Sequence, residues 1–318
     1  MRIDCHSHIG VDHLFYLQGW SPYCMDLPRF FQETRDQGMD QFIVFPFVSY
    51  VDLDQAALRA NRIELPPGEE RVPYRFENQR LCNDIRRAPP EWQAQLWPFL
   101  IFDPARKPRE QVASWAELPP DYRAHGIKVQ GTIIQSKVLA LLEEGSVALD
   151  YAEQHDLPFL IHSSIHPEDA WSQCADILQV VEARPGVRFI LAHSCRYHQR
   201  SLERVAELPN AWFDCSAHVI HSRLAVNNYP GIAAPADRFP ADYAHPEKVL
   251  RTLAEAFPGK LIWGTDTPFY SCEYDKVQLR SSYTTETDCF RALPRDLQEE
   301  VAYRNTMDWL RGPDGDRE

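Results

Sequence analysis

Basic charge is scarce in this 318-residue chain: 33 lysines and arginines stand against 46 acidic residues, a formal net charge of −13. Phosphate binding needs clustered Lys and Arg, so a nucleic-acid partner is not expected. A local basic pocket for a small anionic substrate stays compatible with this balance. No apolar run approaches 18 residues, which argues against a membrane span. No basic-then-apolar leader precedes the first strand-like segment, and a cytoplasmic location is expected. The eight cysteines (Cys5, Cys24, Cys82, Cys174, Cys195, Cys215, Cys272 and Cys289) are scattered and include no Cys-x-x-Cys pair. Reduced thiols are expected rather than a disulfide framework. There is no internal repeat, no low-complexity tract, and no glycine-rich phosphate loop after the first strand.

What is present is a rhythm. Short runs rich in β-branched and aromatic residues predict strands at 2–6, 42–47, 96–100, 126–130, 158–163, 188–193, 211–216 and 260–265. Their apolar character is nearly continuous, as in parallel strands covered on both faces. Helical patterns lie between them at 137–155, with room for two short helices, at 169–184, and at 245–257, with Pro246 in the first turn. Breaks at Pro158, Pro185-Gly186 and Pro258-Gly259 separate these helices from the next strand. Alternation with eight strands predicts an α/β fold, a (β/α)8 TIM barrel forming a single domain over 1–310, with a polar tail at 311–318. The missing phosphate loop disfavours a doubly wound open sheet. Three long connections, 48–95, 217–245 and 267–290, follow strand C-termini, the end where barrel active sites are built. Such loops serve as lids, pocket walls or oligomer contacts, and a homodimer is the expected assembly.

The polar residues that carry chemistry fall at strand ends. His6 and His8 lie on the first strand, where residues i and i+2 share a face about 7 Å apart. Two imidazoles so placed can grip one metal ion, although such a pair alone says little. His162 ends the fifth strand, His193 the sixth and Asp266 the eighth, while Lys128 lies in the fourth. Each has an ordinary reading: a hydrogen-bonded core histidine, a helix-capping aspartate, a rim lysine. A barrel gathers all these strand ends into one ring, and the joint pattern of imidazole and carboxylate suits Zn2+ and related divalent ions.

In this order, Asp4-Cys5-His6-Ser7-His8, Gly126-Ile127-Lys128, Leu160-Ile161-His162, Leu191-Ala192-His193 and Gly264-Thr265-Asp266 resemble the amidohydrolase superfamily. The likeness is closest to its amidohydrolase-2 branch of metal-dependent barrel hydrolases and decarboxylases. The stretch from Leu297 to Asn305 and Thr306 resembles that family's terminal helix, so the likeness covers nearly the whole chain. It implies that His6, His8, His162 and Asp266 hold a divalent metal, Zn2+ first. It further implies that Asp266 takes a proton from water the metal activates, and that His193 either ligates a second ion or acts as a general acid/base. Lys128 is ambiguous: in two-metal relatives a lysine here becomes carboxylated and bridges the ions, whereas in the one-metal branch it faces a substrate carboxylate. The Gly-Ile-Lys form favours one ion, with two left open.

Arg196 and Arg223, with His221 and Arg238 nearby, are the residues suited to carboxylate recognition, each also readable as a surface Arg paired with an acid. Trp20, Tyr23, Phe269, Tyr270 and Tyr274 lie in mouth-side loops and would wall a ring-shaped substrate or simply pack the loops. Cys5 and Cys195 read as buried packing thiols. The expected activity is hydrolysis of a small-molecule carbonyl substrate, a lactone, amide or ester-like compound. Metal-dependent decarboxylation of an aromatic or unsaturated acid is the alternative on the same ligands. A phosphoesterase barrel is disfavoured by the closing Gly-Thr-Asp, and a non-catalytic barrel by the filled ligand positions.

Overall fold

The computed structural model describes residues 1–50, 72–274 and 277–312. Eight parallel strands follow one another. They are β1 (Ile3–Val11), β2 (Gln41–Pro46), β3 (Leu96–Pro98 and Leu100–Phe102, either side of Phe99), β4 (Ile127–Val129), β5 (Phe159–Ile161), β6 (Phe189–Leu191), β7 (Ala211–Asp214) and β8 (Leu261–Ile262). Phe99 carries β3 from one neighbour to the next: its N–H donates to Val44 O at 2.8 Å, and the Leu100 N–H donates to Gly126 O at 3.0 Å. The last strand returns to the first. Cys5 N donates to Trp263 O (3.1 Å), Asp266 N donates to His6 O (2.8 Å), and Ser7 bridges Thr267 in parallel. The architecture is the (β/α)8 barrel.

The continuous apolar runs divide by alternation. Phe159 and Ile161 of β5, and Phe189 and Leu191 of β6, pack outward into the layer shared with the helices. Leu160 and Ile190 between them turn into a separate inner cluster with Ile3, Cys5, Ile43, Phe45, Phe99 and Ile262. Both sets are fully buried, and each such side chain contributes roughly 1.5–3 kcal/mol of transfer free energy. At the β8–β1 seam a Cβ on Gly264 would lie 2.9 Å from both Cys5 Sγ and His6 Cβ, so only glycine permits this approach. Asp4 closes the same seam by accepting from Thr265 N (3.0 Å), Thr265 Oγ1 (2.7 Å) and Tyr283 Oη (3.1 Å).

The expected helices form, two short ones within 137–155 as read, with one departure of local cause at 169–184. The pattern at 137–155 splits into a 3-10 turn, Val138–Leu142, and a helix, Ser146–His155. The helix expected from 169 begins only at Cys174, because Asp169 Oδ1 takes the N–H groups of Trp171 and Ser172 in a polar turn. Helix Pro246–Ala256 forms as read, with Pro at its start. The long connections carry helices Arg75–Arg87, His218–Val226 and Tyr283–Arg291, and the third also holds an antiparallel strand pair, Cys272–Tyr274 with Val277–Leu279. Residues 51–71 of the first connection lie outside the described residues, as does the expected tail beyond Gly312. Asn305, in the terminal helical stretch, donates from Nδ2 to Leu261 O at 2.8 Å and so tethers that stretch to β8. No helix among the described residues is long and apolar enough to cross a membrane.

Candidate metal centre and active-site cavity

His6 and His8 face each other at the mouth end of β1, ring centroids 5.5 Å apart. Each is anchored through Nδ1. His6 Nδ1 lies 2.8 Å from Asp214 Oδ2, and His8 Nδ1 lies 3.1 Å from Pro46 O. Both partners are acceptors, so each Nδ1 carries a proton and each Nε2 is left facing the centre. There Asp266 Oδ1 stands 3.1 Å from His6 Nε2 and 3.3 Å from His8 Nε2. The ligand atoms of His6, His8 and Asp266 all lie within 4.8 Å of one another, and all three side chains are buried. Two anchored imidazole nitrogens and a carboxylate oxygen converging in this way fit a divalent cation of the zinc type.

His193 and His162 adjoin this group. His193 Nδ1 lies 3.9 Å from Asp266 Oδ2, and its Nε2 lies 3.0 Å from His162 Nδ1. His162 Nε2 in turn accepts from Arg196 Nη2 at 3.2 Å. Thus His162 spends both ring nitrogens on neighbours and stands beside the three-residue cluster rather than within it. Arg196 also contacts His221 Nε2 through Nη1 (2.5 Å) and donates from Nε to Ser163 O (2.9 Å). Among the described residues no carboxylate pairs with its guanidinium.

Electrostatics follow from burial. His8 is pushed down to about 4 by burial, against the pull of Asp266. His162, His193 and His221 are held well below the usual imidazole value, first by burial and then by Arg196. For His6, burial and Lys128 act downward, but Asp214 and Asp266 outweigh them and raise it. Burial alone would raise the Asp266 carboxyl, yet His6 and His8 hold it well below the ordinary carboxylate value.

A cavity of about 500 Å³ opens over this floor, lined by His8, His162, His193, Arg196, His221 and Asp266 with an apolar wall that includes Phe15, Trp20, Trp171, Ile220, Phe269 and Tyr274. Several expectations shift here. Arg223 does not reach the cavity: on helix His218–Val226 the cavity side is Ile220, His221 and Leu224, while Arg223 is exposed and donates to Arg280 O. Lys128 is wholly buried beneath the floor. Its Nζ lies 3.1 Å from His6 Nε2 and 4.8 Å from the Phe45 ring centroid, and burial lowers it to about 8. It meets His6, not the space for substrate. Arg238 staples its own loop through Ala233 O, Ala225 O and Asn228 Oδ1. Tyr270 bonds Glu33, and Tyr23 packs on Tyr16, both away from the cavity. Cys5 and Cys195 are fully buried thiols.

Two features escaped the sequence. One is Asp214, the carboxylate ending β7; its only signal was an acid at a strand terminus, the position already marked in β8 by Asp266. The other is the backbone after β6. His193, Ser194, Cys195, Arg196 and Tyr197 all have φ between 47° and 62°, a left-handed turn built without glycine. It aims both His193 and Arg196 into the cavity.

The amidohydrolase family model matches residues 3–312, and the chain belongs to that amidohydrolase family. Solved structures share the fold at low identity. An amidohydrolase from Burkholderia multivorans with bound HEPES is 16% identical with a TM-score of 0.61, covering 98% of this chain and 99% of that one. A crystal form described with bound zinc aligns at 14% identity with the same TM-score and coverage. A dihydroorotase from Campylobacter jejuni is 11% identical (TM-score 0.54; 96% and 82% covered). An IDCase from Metarhizium anisopliae is 12% identical (TM-score 0.53; 98% and 97% covered). No curated protein matches the sequence significantly.

Proposed function

We propose that this protein is a metal-dependent hydrolase acting at the carbonyl carbon of a small, carboxylate-bearing lactone, amide or ester-like substrate. The observation that carries the reading is the convergence of His6 Nε2, His8 Nε2 and Asp266 Oδ1 on the floor of a cavity that also presents Arg196, which has no carboxylate partner among the described residues. His6, His8 and Asp266 would hold one divalent ion, with Zn2+ the best fit to the donors, and His162 and His193 stand next to them. Such an ion supplies a lowered pKa for water, toward about 7, and polarises a carbonyl.

The chain's own residues supply the rest. Asp266 is an ionised carboxylate positioned to accept the proton of an attacking water and return it to the leaving group. His193, its ring fixed by His162 and Ser216 and its Nδ1 3.9 Å from Asp266 Oδ2, is assigned the part of general acid/base partner to that carboxylate. Arg196 offers its planar donors to a substrate carboxylate. Phe15, Trp20, Phe269 and Tyr274 give that substrate an apolar wall and limit water.

The test is a pooled screen of lactones, amides and aromatic acids with zinc-loaded protein, run in 18O-labelled water. One atom of 18O in the product supports hydrolysis. Release of CO2 from an aromatic or unsaturated acid, with no label in the organic product, would reassign the site to a decarboxylase.

A further inference from the structure

We infer that Asp214 is a positioning residue that sets two imidazoles of the site at once, His6 on the metal side and His193 on the proton-transfer side. The inference rests on the metal-dependent reading for the role given to His6.

Asp214 is fully buried at the end of β7. Its two oxygens divide their work. Oδ2 serves His6 Nδ1 alone, at 2.8 Å. Oδ1 accepts from the His193 backbone N–H (2.8 Å), from Ser216 N (2.9 Å) and from Ser216 Oγ (2.5 Å). A single carboxylate thereby ties β1, the turn after β6 and the end of β7 together. An ionised carboxylate only accepts hydrogen bonds, so His6 must carry its proton on Nδ1 and turn Nε2 toward His8 and Asp266. Lys128 agrees independently: an ammonium only donates, and it sits 3.1 Å from that same Nε2.

The second imidazole is reached by a chain of fixed direction. Arg196 can only donate, so His162 Nε2 accepts and His162 Nδ1 holds the proton. That proton points to His193 Nε2 at 3.0 Å, which leaves His193 Nδ1 as the donor to Ser216 O at 3.1 Å. Ser216 is held in place by Asp214 through both its N–H and its hydroxyl. The sequence of donors Arg196, His162, His193 therefore ends on a residue that Asp214 positions. Losing the carboxylate would free the His6 tautomer and the anchor of His193 together.

Two measurements test this. The first uses the unaltered metal-free protein: 15N NMR of the His6 ring, assigned by the signals lost in His6→Asn. A proton on Nδ1 is expected, and a His6 ring lacking it overturns the proposal. The second is zinc affinity of Asp214→Asn, by competition with a chromophoric chelator, alongside melting of the metal-free variant. An affinity about 10–100-fold weaker is expected from loss of such a supporting carboxylate. Affinity within twofold of wild type in a folded variant overturns the proposal, and if the variant does not fold the NMR result decides alone. Wild-type protein that binds no divalent ion would sink the metal reading while leaving the tautomer result standing.

Discussion

Arg196 donates to His162 Nε2 across 3.2 Å, and no carboxylate among the described residues competes for its guanidinium. The cation is thus kept by two neutral imidazoles and a backbone carbonyl, with its charge uncompensated by a direct partner. Arg196→Met should raise KM for a carboxylate-bearing substrate at least 10-fold, as loss of a charge-assisted contact of about 1.5–3 kcal/mol requires. Steady-state kinetics on matched substrates with and without the carboxylate check this. An equal loss for both would mean that Arg196 acts only through His162.

Asp266→Asn would keep an oxygen beside His6 and His8 but remove the base proposed for the reaction. A fall in kcat of at least about 100-fold is expected, the usual share of a positioned proton acceptor, with much of the bound zinc retained. Metal analysis beside turnover numbers separates the two effects. Unchanged turnover would refute proton transfer by Asp266. In the wild type, chelator-stripped protein should lose activity and regain it with Zn2+.

The turn His193–Tyr197 holds five non-glycine residues at positive φ. Left-handed helical backbone costs about 1–2 kcal/mol per L-residue. Ser194→Gly should relieve part of this and stabilise the protein to urea by about 0.5–1 kcal/mol. It should also loosen Arg196 and raise KM a few-fold. A clear loss of stability would show that the Ser194 hydroxyl contact to Asp214 O, at 3.3 Å, outweighs the strain.

Two buried groups away from the His6, His8 and Asp266 cluster shape stability against pH. His218 is pushed down to about 4 by burial, with Nε2 donating to Pro246 O at 2.8 Å. The unfolded chain binds a proton that the native state refuses, so this stabilisation is full above about pH 6.5 and fades toward pH 4. Glu286, raised to about 8 by burial, has the opposite sign. Its native form keeps a proton, so its contribution is full below about pH 4.5 and is lost as pH rises through 8. Thermal melts of metal-free protein should therefore peak between these limbs. Glu286→Gln should flatten only the alkaline limb, and an unchanged limb would remove Glu286 as its cause.

Much of this was legible in the sequence because barrel strands, covered on both faces, read as short and nearly continuous apolar runs. All eight strands form within a few residues of the expected segments, and His6, His8 and Asp266 meet because the ring brings the first and last strand ends together. Direction was harder to read. Arg223 and Arg196 looked alike as loop arginines, but helical phase turns Arg223 outward while a left-handed turn without glycine, which no local rule predicts, turns Arg196 inward. Asp214 stayed hidden because one acid in a strand has no spacing partner; its meaning lies in contacts to residues 21 and 208 positions away.

The seam closed by Gly264 joins the first strand of the barrel to the last. His6 and His8 come from the first strand, while Asp266 follows the last, so the donor cluster does not exist until some 260 residues have been arranged between them. An ion held there binds only the finished ring and stabilises it in proportion to the logarithm of its concentration over Kd. Occupancy then reports completion: a truncated or half-assembled chain offers two histidines and no carboxylate. Release of the ion would be an early sign that the ring has begun to open.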